Sequence, residues 1–133
     1  MIFIDTGPFV ARYIAADSNH KKAASIWNKV ERGKEPLFTS NFVLDEVFTL
    51  MGRKADYSFA AQRAENIYAS KALTILRPDL EDELNGLKLF KKYADQQMSF
   101  TDCISFVLMK RNRISHVFTF DQHFSVPGFT VFQ

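Results

Sequence analysis

Cysteine is almost absent from the chain, since Cys103 is the only thiol among the 133 residues. A lone cysteine excludes an intramolecular disulfide and a multi-cysteine metal site, and it fits a reducing compartment. Five glycines and four prolines leave no segment with the composition of a linker.

No uncharged run approaches the ~18 residues of a membrane span. Asp5 interrupts the apolar start, which no basic segment precedes, so the start does not resemble a signal peptide. We therefore expect a cytoplasmic protein with no membrane contact.

An excess of charge of one sign is also lacking. Lysine and arginine total 17 against 15 for aspartate and glutamate, and the net charge of +2 neither requires nor excludes a nucleic-acid partner. The chain is instead rich in apolar residues, at 47%, and in phenylalanine, with 14 copies. The phenylalanines indicate a large aromatic core and allow an apolar subunit interface. The length is near the commonest domain size, so residues 1–133 are expected to form a single domain.

Short apolar runs alternate with helical patterns along the chain. Strands are predicted at residues 1–4, 37–39, 73–76, 116–120 and 129–132, and helices from Pro8 and at 18–32, 41–53, 57–70, 80–90 and 101–112. Strands separated by helices of this length are joined by right-handed crossovers, which predicts an α/β fold with a mainly parallel central sheet flanked by helices. In such open sheets, ligands bind beyond the carboxyl ends of the strands.

Two acidic residues follow predicted strands and would meet at that edge of the sheet. Asp5 ends the run 1–4, and Asp121 ends the run 117–120. Each also has a structural interpretation, since Asp5 with Thr6 suits a helix N-terminus and Asp121 suits an Asx-turn. The functional interpretation places both carboxylates in one site, with the Thr6 hydroxyl beside Asp5 to orient a ligand or a metal-bound water.

Glu46 is distinguished from its neighbour Asp45 by the phase of their predicted helix. Residues three and four apart share a helix face. Val43 and Leu50 lie on the face of Glu46, whereas Thr49 lies on the face of Asp45. The pattern predicts that Glu46 points inward and that Asp45 faces water, so Glu46 is the candidate site residue.

Asp102 begins a stripe that looks buried, because Phe106 and Met109 follow it one and two turns further on. The segment Ser99-Phe100-Thr101-Asp102 also resembles a capping box, which is a strong structural interpretation. One carboxylate could both cap the helix and bind a ligand. Cys103 lies about 100° around the helix from Asp102, and we expect it to be a buried structural thiol.

Together these four acids predict a carboxylate cluster made of Asp5, Glu46, Asp102 and Asp121. Two carboxylates ~4–5 Å apart repel by a few kcal/mol at an effective dielectric near 20, so four would not stay ionised without a cation. Ligation by oxygen alone suits Mg²⁺ or Mn²⁺ rather than Zn²⁺. Such an ion can lower the pKa of a bound water and steady the leaving oxygen of a phosphodiester. The predicted chemistry is phosphodiester hydrolysis.

The segments around these acids also carry a family resemblance. They are Ile4-Asp5-Thr6, the inward Glu46, the run Ser99–Phe106 and the run Thr119–Phe124. These segments resemble motifs of the PIN-domain ribonucleases, most closely of the VapC toxins of bacterial and archaeal toxin–antitoxin pairs. The order of the motifs and the length of the chain also fit that family. The resemblance covers nearly the whole chain. It implies a five-stranded parallel sheet flanked by helices, and a Mg²⁺- or Mn²⁺-dependent endonuclease that acts on single-stranded or structured RNA.

The resemblance also implies residue roles and partners. The acidic quartet of the family falls on Asp5, Glu46, Asp102 and Asp121, and its hydroxyl after the first acid falls on Thr6. Cleavage in this family leaves 5′-phosphate and 3′-hydroxyl ends. The toxin usually forms a homodimer, and an antitoxin protein silences it by covering the site.

Two other functions compete with a nuclease toxin. A PIN nuclease of RNA processing or decay would carry the same site, and an overlapping upstream gene for a DNA-binding protein would favour the toxin instead. A non-enzymatic phospho-acceptor domain would need an acid pair after the first strand and a lysine after the last. Here Asp5 is followed by Thr6-Gly7, and no lysine follows His116.

The remaining polar candidates are given structural roles. Divalent-metal hydrolysis needs no histidine, so His123 is expected to pack or to shape a turn. Several basic residues could contact phosphates, but solvated helix ends are the commoner explanation, and cations in a last turn offset the helix dipole. These residues are Arg12, Arg53, Lys54, Lys110, Arg111 and Arg113.

Overall fold

Five short strands and six α-helices alternate along the chain in the computed structural model, which describes residues 1–133. The strands are β1 (Ile2–Ile4), β2 (Leu37–Ser40), β3 (Leu73–Leu76), β4 (His116–Phe118) and β5 (Thr130–Val131). The helices are α1 (Thr6–Tyr13), α2 (His20–Gly33), α3 (Asn41–Lys54), α4 (Tyr57–Ala69), α5 (Leu80–Lys92) and α6 (Phe100–Arg111). All strand pairs are parallel, in the order β3-β2-β1-β4-β5. The predicted α/β fold is confirmed, and the chain forms a single α/β domain.

The central strand β1 explains why the chain starts with an unbroken apolar run. Ile2, Phe3 and Ile4 are each at most 1% exposed, as is typical of a parallel strand that is buried on both faces. Strand β1 pairs with β2 on one side and with β4 on the other, and Phe3 lies level with Phe38 and Val117. This register brings the carboxyl ends of β1 and β4 to the same height.

Local capping fixes where the helices near that edge begin. The Ser40 hydroxyl accepts a hydrogen bond from the Val43 amide at 3.1 Å and caps the start of α3. Ser99 and Asp102 form a reciprocal capping box that starts α6. Such caps satisfy amides that have no partner within the helix, typically worth about 1 kcal/mol each.

Four predicted boundaries differ from the structure by two residues, and the others by at most one. Helix α1 begins at Thr6 rather than at Pro8, α2 begins at His20 rather than at residue 18, and α5 ends at Lys92 rather than at residue 90. Strand β4 ends at Phe118 rather than at residue 120, and this difference matters for function. The Thr119 hydroxyl, just beyond the strand, donates to the Asp5 carboxylate, and Asp121 lies three residues beyond the strand and not directly at its end.

Helix α5 packs closely on α6 but keeps an apolar stripe partly exposed. A Cβ atom at Gly86 would lie 2.8 Å from Ile104 Cδ1, so glycine allows this close approach. The members of the stripe are between 39% and 69% exposed: Leu80, Leu84, Leu87 and Phe90. Phe90 also contacts Phe100 of α6, with ring centroids 5.7 Å apart. No helix of the protein combines the length and the apolar character that a membrane span requires.

Candidate active site

One cleft at the carboxyl ends of β1 and β4 collects all five residues predicted for the site. The cleft has a volume of about 710 Å³. It is lined by Asp5, Thr6, Gly7, Glu46, Gln97, Ser99, Asp102, Phe120, Asp121, Gln122 and His123. Phe120 is the only large apolar side chain among them, and no lysine or arginine lines the cleft. Four carboxyl groups therefore share the cleft with one histidine and with no lysine or arginine.

Asp5 is held deep in this cleft by both its backbone and its side chain. Its amide donates to the Phe118 carbonyl at 3.0 Å, and its carboxylate accepts a hydrogen bond from the Thr119 hydroxyl at 2.7 Å. The side chain is not used as a helix cap, although Asp5 occupies the N-cap position of α1. The capping interpretation of the Asp5 side chain is therefore wrong. The residue is buried, with 7% of its surface exposed.

Thr119 connects the first and the last acid of the cleft, a role that the sequence analysis missed. Its hydroxyl donates to Asp5 Oδ2 and accepts a hydrogen bond from the Asp121 amide at 2.9 Å. The only signal in the sequence is a polar, β-branched residue inside an otherwise apolar run. The same hydroxyl thus bonds to the Asp5 carboxylate and to the backbone of Asp121, and these two bonds hold Asp5 and Asp121 close together.

The prediction that Glu46 points inward is confirmed. Glu46 is half-buried and lines the cleft, whereas Asp45 is exposed to solvent. Glu46 Oε2 accepts a hydrogen bond from the Thr6 hydroxyl at 2.8 Å. The Thr6 hydroxyl thus orients a carboxylate of the site, which differs from the predicted role of orienting a ligand beside Asp5.

Asp102 caps α6 and lines the cleft at once. Its Oδ2 atom accepts from the Ser99 amide at 3.1 Å, and its own amide donates to the Ser99 hydroxyl at 3.0 Å. Burial raises the pKa of Asp102, and the nearby charges of Asp121 and Glu46 raise it further. Cys103 is fully buried, and burial next to Asp102 raises the pKa of its thiol to about 11, so it is the expected structural thiol and is not a nucleophile at neutral pH.

Asp5 has the most strongly shifted carboxyl group of the protein. Burial raises its pKa from an ordinary value of 3.8 to about 7, despite stabilising hydrogen bonds from the Thr119 hydroxyl and the Thr6 amide. The charges of Asp102 and Asp121 also raise this pKa. The acids of the cleft thus oppose one another's ionisation, and a bound cation would remove that opposition.

Asp121 forms the predicted Asx-turn, and it also meets a histidine. Its Oδ1 atom accepts from the His123 amide at 2.9 Å. The His123 Nδ1 atom lies 3.1 Å from Asp121 Oδ1 and 3.7 Å from Asp102 Oδ2. Packing and turn formation are therefore an incomplete description of His123, because its ring also lines the cleft.

The donor chemistry of the cleft suits a divalent cation. Asp102, Asp121 and His123 offer one ligand atom each, and these atoms all lie within 4.8 Å of one another. Asp5 and Glu46 line the same cleft but lie outside this close group. The His123 Nδ1 atom is buried and has no hydrogen-bond partner, so its capacity to donate or accept is unused.

Comparisons with known proteins agree with this geometry. The family model described as PIN domain matches residues 2–129. The chain is 32% identical over 130 residues to the 23S rRNA-specific endonuclease VapC20 of Mycobacterium tuberculosis, covering 97% of this chain and 95% of that protein. It is 32% identical over 126 residues to a VapC ribonuclease of Archaeoglobus fulgidus, covering 93% of this chain and 79% of that protein.

A solved structure extends the similarity to three dimensions. The crystal structure of Mycobacterium tuberculosis VapC20, described as a sarcin–ricin loop cleaving toxin, matches with a TM-score of 0.88 and 29% identity over 98% of this chain and 97% of that one. The fold is that of a PIN domain, and the chain belongs to the PIN-domain family. Its relatives within that family are the VapC ribonucleases, which confirms the predicted resemblance and favours a nuclease over a phospho-acceptor domain.

Proposed function

We propose that this protein is a divalent-metal-dependent endoribonuclease and the toxin of a toxin–antitoxin pair. The observation that carries the proposal is the cleft in which Asp5, Glu46, Asp102 and Asp121 meet without a lysine or arginine, in a chain related to VapC ribonucleases. Residues 1–133 would act as one domain. An RNA phosphate entering so acidic a cleft would be repelled unless a cation were bound there.

Mg²⁺ or Mn²⁺ is the proposed cofactor, with Asp102 and Asp121 as its nearest carboxylates and Asp5 and Glu46 completing the site. When bound, such an ion supplies an activated water and neutralises charge on the phosphodiester. The side chains of the protein hold the ligand set in place. Thr119 fixes Asp5 and Thr6 fixes Glu46, each through a hydroxyl that donates to the carboxylate. Orientation of ligands by outer hydrogen bonds of this kind commonly changes metal affinity or activity by about 10- to 100-fold.

The substrate proposed first is ribosomal RNA. The name of the Mycobacterium tuberculosis relative specifies 23S rRNA, and its structure is that of a toxin that cleaves the sarcin–ricin loop. We expect cleavage of the RNA backbone by water to leave 5′-phosphate and 3′-hydroxyl ends. Sequencing of RNA ends after induced expression would identify the cleaved site.

The toxin role requires a cognate antitoxin, which we propose as a protein partner encoded by a neighbouring gene. Induced expression of the nuclease should arrest growth, and co-expression of the neighbouring DNA-binding protein should relieve the arrest. A role in RNA processing or decay would be favoured instead if expression left growth unchanged and no such neighbouring gene existed.

The proposed homodimer has a candidate interface on α5. Its exposed stripe of Leu80, Leu84, Leu87 and Phe90 would be covered by the same stripe of a second copy. The first turn of α5 carries Glu81 and Glu83, and the last turn carries Lys91 and Lys92. Two copies of α5 packed antiparallel about a two-fold axis would therefore bring opposite charges together at both ends of the stripe.

Changing Leu84 to glutamate tests this interface. Leu84 lies in the middle part of the stripe, so its replacement is expected to convert a dimer into a monomer in light scattering after gel filtration. Leu84 is 52% exposed within one chain, so the thermal midpoint of the monomeric fold should change by only a few degrees. Tyr68→Glu on α4, which alters a side chain of similar exposure at 54%, is the matched control and should stay dimeric. A wild-type protein that is monomeric at micromolar concentration would contradict the proposal.

The choice of Glu46 over Asp45 is tested by two neighbouring substitutions. Glu46→Gln is expected to lower the rate of RNA cleavage by about 10- to 100-fold, because it removes a charge from the cleft and weakens the bond from Thr6. Asp45→Asn should leave the rate within about twofold, because Asp45 is exposed to solvent. Initial cleavage rates with a labelled RNA would measure both, and a larger loss from Asp45→Asn would reverse the assignment.

A further inference from the structure

His123 brings a nitrogen atom into the close group of ligand atoms in the cleft. Its Nδ1 atom lies 3.1 Å from Asp121 Oδ1, which is within hydrogen-bonding distance, yet the atom makes no hydrogen bond. A ring N–H on Nδ1 therefore does not point at that oxygen at an adequate angle. The Nδ1 atom is thus left without a hydrogen bond within 4.8 Å of a carboxylate oxygen of Asp102 and one of Asp121.

The spacing of the three ligand atoms fits one coordination sphere. Around an octahedral ion with bonds of ~2.1 Å, adjacent ligands lie about 3 Å apart and opposite ligands about 4.2 Å apart. The His123 Nδ1 atom is 3.1 Å from Asp121 Oδ1 and 3.7 Å from Asp102 Oδ2. All three atoms lie within 4.8 Å of one another, so small side-chain adjustments would bring them onto one ion.

Backbone hydrogen bonds of His123 fix the turn that carries its ring, and the ring itself makes none of them. The His123 amide donates to Asp121 Oδ1 at 2.9 Å, and its carbonyl accepts from the Val126 amide at 3.1 Å. The next residue, Phe124, is fully buried and packs with its ring centroid 5.0 Å from that of Phe106. A change of the His123 side chain should therefore leave this turn intact.

We propose that His123 Nδ1 is a ligand of the same cation as Asp102 and Asp121, and that it makes the site prefer Mn²⁺ to Mg²⁺. Mg²⁺ binds oxygen donors in proteins, whereas imidazole nitrogen suits transition metals better. A site with one nitrogen donor among carboxylates therefore discriminates against Mg²⁺. The inference rests on the metal site of the proposed function and adds a residue and a metal preference to it.

Pulsed electron paramagnetic resonance on the Mn²⁺-loaded protein tests the ligand directly, without an activity assay. The wild-type spectrum is expected to contain the modulation of a nitrogen nucleus bound to Mn²⁺. His123→Asn places an amide oxygen near the position of Nδ1, so the nitrogen modulation should disappear while a hard donor remains. His116→Asn is the matched control, because His116 is exposed at the start of β4, and its spectrum should equal that of the wild type.

Calorimetric titration with each metal supplies the second readout. His123→Asn is expected to weaken Mn²⁺ binding by about tenfold or more, to leave Mg²⁺ binding within about threefold, and so to reduce the preference for Mn²⁺. The proposal is overturned if the wild-type spectrum lacks nitrogen modulation, or if His123→Asn binds Mn²⁺ as tightly as the wild type while Asp102→Asn does not. Unchanged Mn²⁺ binding by Asp102→Asn would overturn the metal site of the proposed function itself.

Discussion

Asp102→Asn is expected to reduce RNA cleavage at least about a thousandfold. A catalytic ion contributes several kcal/mol to the stability of the transition state, and each ~1.4 kcal/mol corresponds to a factor of ten in rate. Asparagine removes the negative charge that Asp102 contributes to the cleft. Its amide oxygen can still accept the hydrogen bond from the Ser99 amide, so the start of α6 should be preserved.

A matched control for this substitution exists in the neighbouring helix. Asp82 occupies the same capping-box position in α5, where it accepts hydrogen bonds from the Asp79 amide and from Arg111. Asp82→Asn should lower the free energy of unfolding, because the Arg111 charge loses its partner, but it should leave cleavage close to the wild-type rate. If both variants lost cleavage equally, the loss in Asp102→Asn would reflect helix capping and not chemistry at the cleft.

Asp5→Asn is expected to stabilise the metal-free protein at and above neutral pH. The folded protein holds the Asp5 proton up to a pKa of about 7, whereas the ordinary value for the group is 3.8. Between these values the folded state binds more protons than the unfolded state, so the unfolding free energy of the wild type falls as the pH rises through that window. The ionisation of Asp5 costs roughly 4 kcal/mol once the pH exceeds 7. An uncharged amide, which can still accept the bond from Thr119, avoids this cost.

Urea unfolding in the presence of EDTA would measure the effect at pH 4 and at pH 8. The variant should be more stable than the wild type by a few kcal/mol at pH 8, and the two should converge at pH 4. Added Mn²⁺ should stabilise the wild type more than the variant, since a bound ion compensates the charge of Asp5. A stability difference that did not change with pH would mean that Asp5 ionises without penalty in the fold.

Much of the fold follows from local patterns in the sequence. The apolar run of β1 and the caps at Ser40 and Ser99 are short-range signals, and the structure places these elements where the patterns predicted. The phase of α3 was enough to separate Glu46 from Asp45, because residues three and four apart share a helix face. Positions that depend on the helix period alone could be predicted well.

The features that could not be predicted depend on contacts between distant segments. Just beyond the end of β4, the Thr119 hydroxyl bonds to Asp5, which is 114 residues away in the chain. His123 lies in the short turn Gln122–Ser125, and helical or strand periodicity cannot predict into which space a turn directs its side chains. Leu80, Leu84, Leu87 and Phe90 recur at a helical period, but periodicity does not show whether a protein core or a second subunit covers an apolar face.

The acidic cleft should cut RNA only when it holds a divalent cation, and removal and restoration of the metal would show this dependence. Purified protein should cleave RNA in Mg²⁺ or Mn²⁺, should stop when EDTA is added, and should recover when excess metal is restored. Asp102→Asn should remain inactive at every metal concentration. Cleavage that persisted in EDTA, and that survived in both Asp102→Asn and Asp5→Asn, would contradict the account.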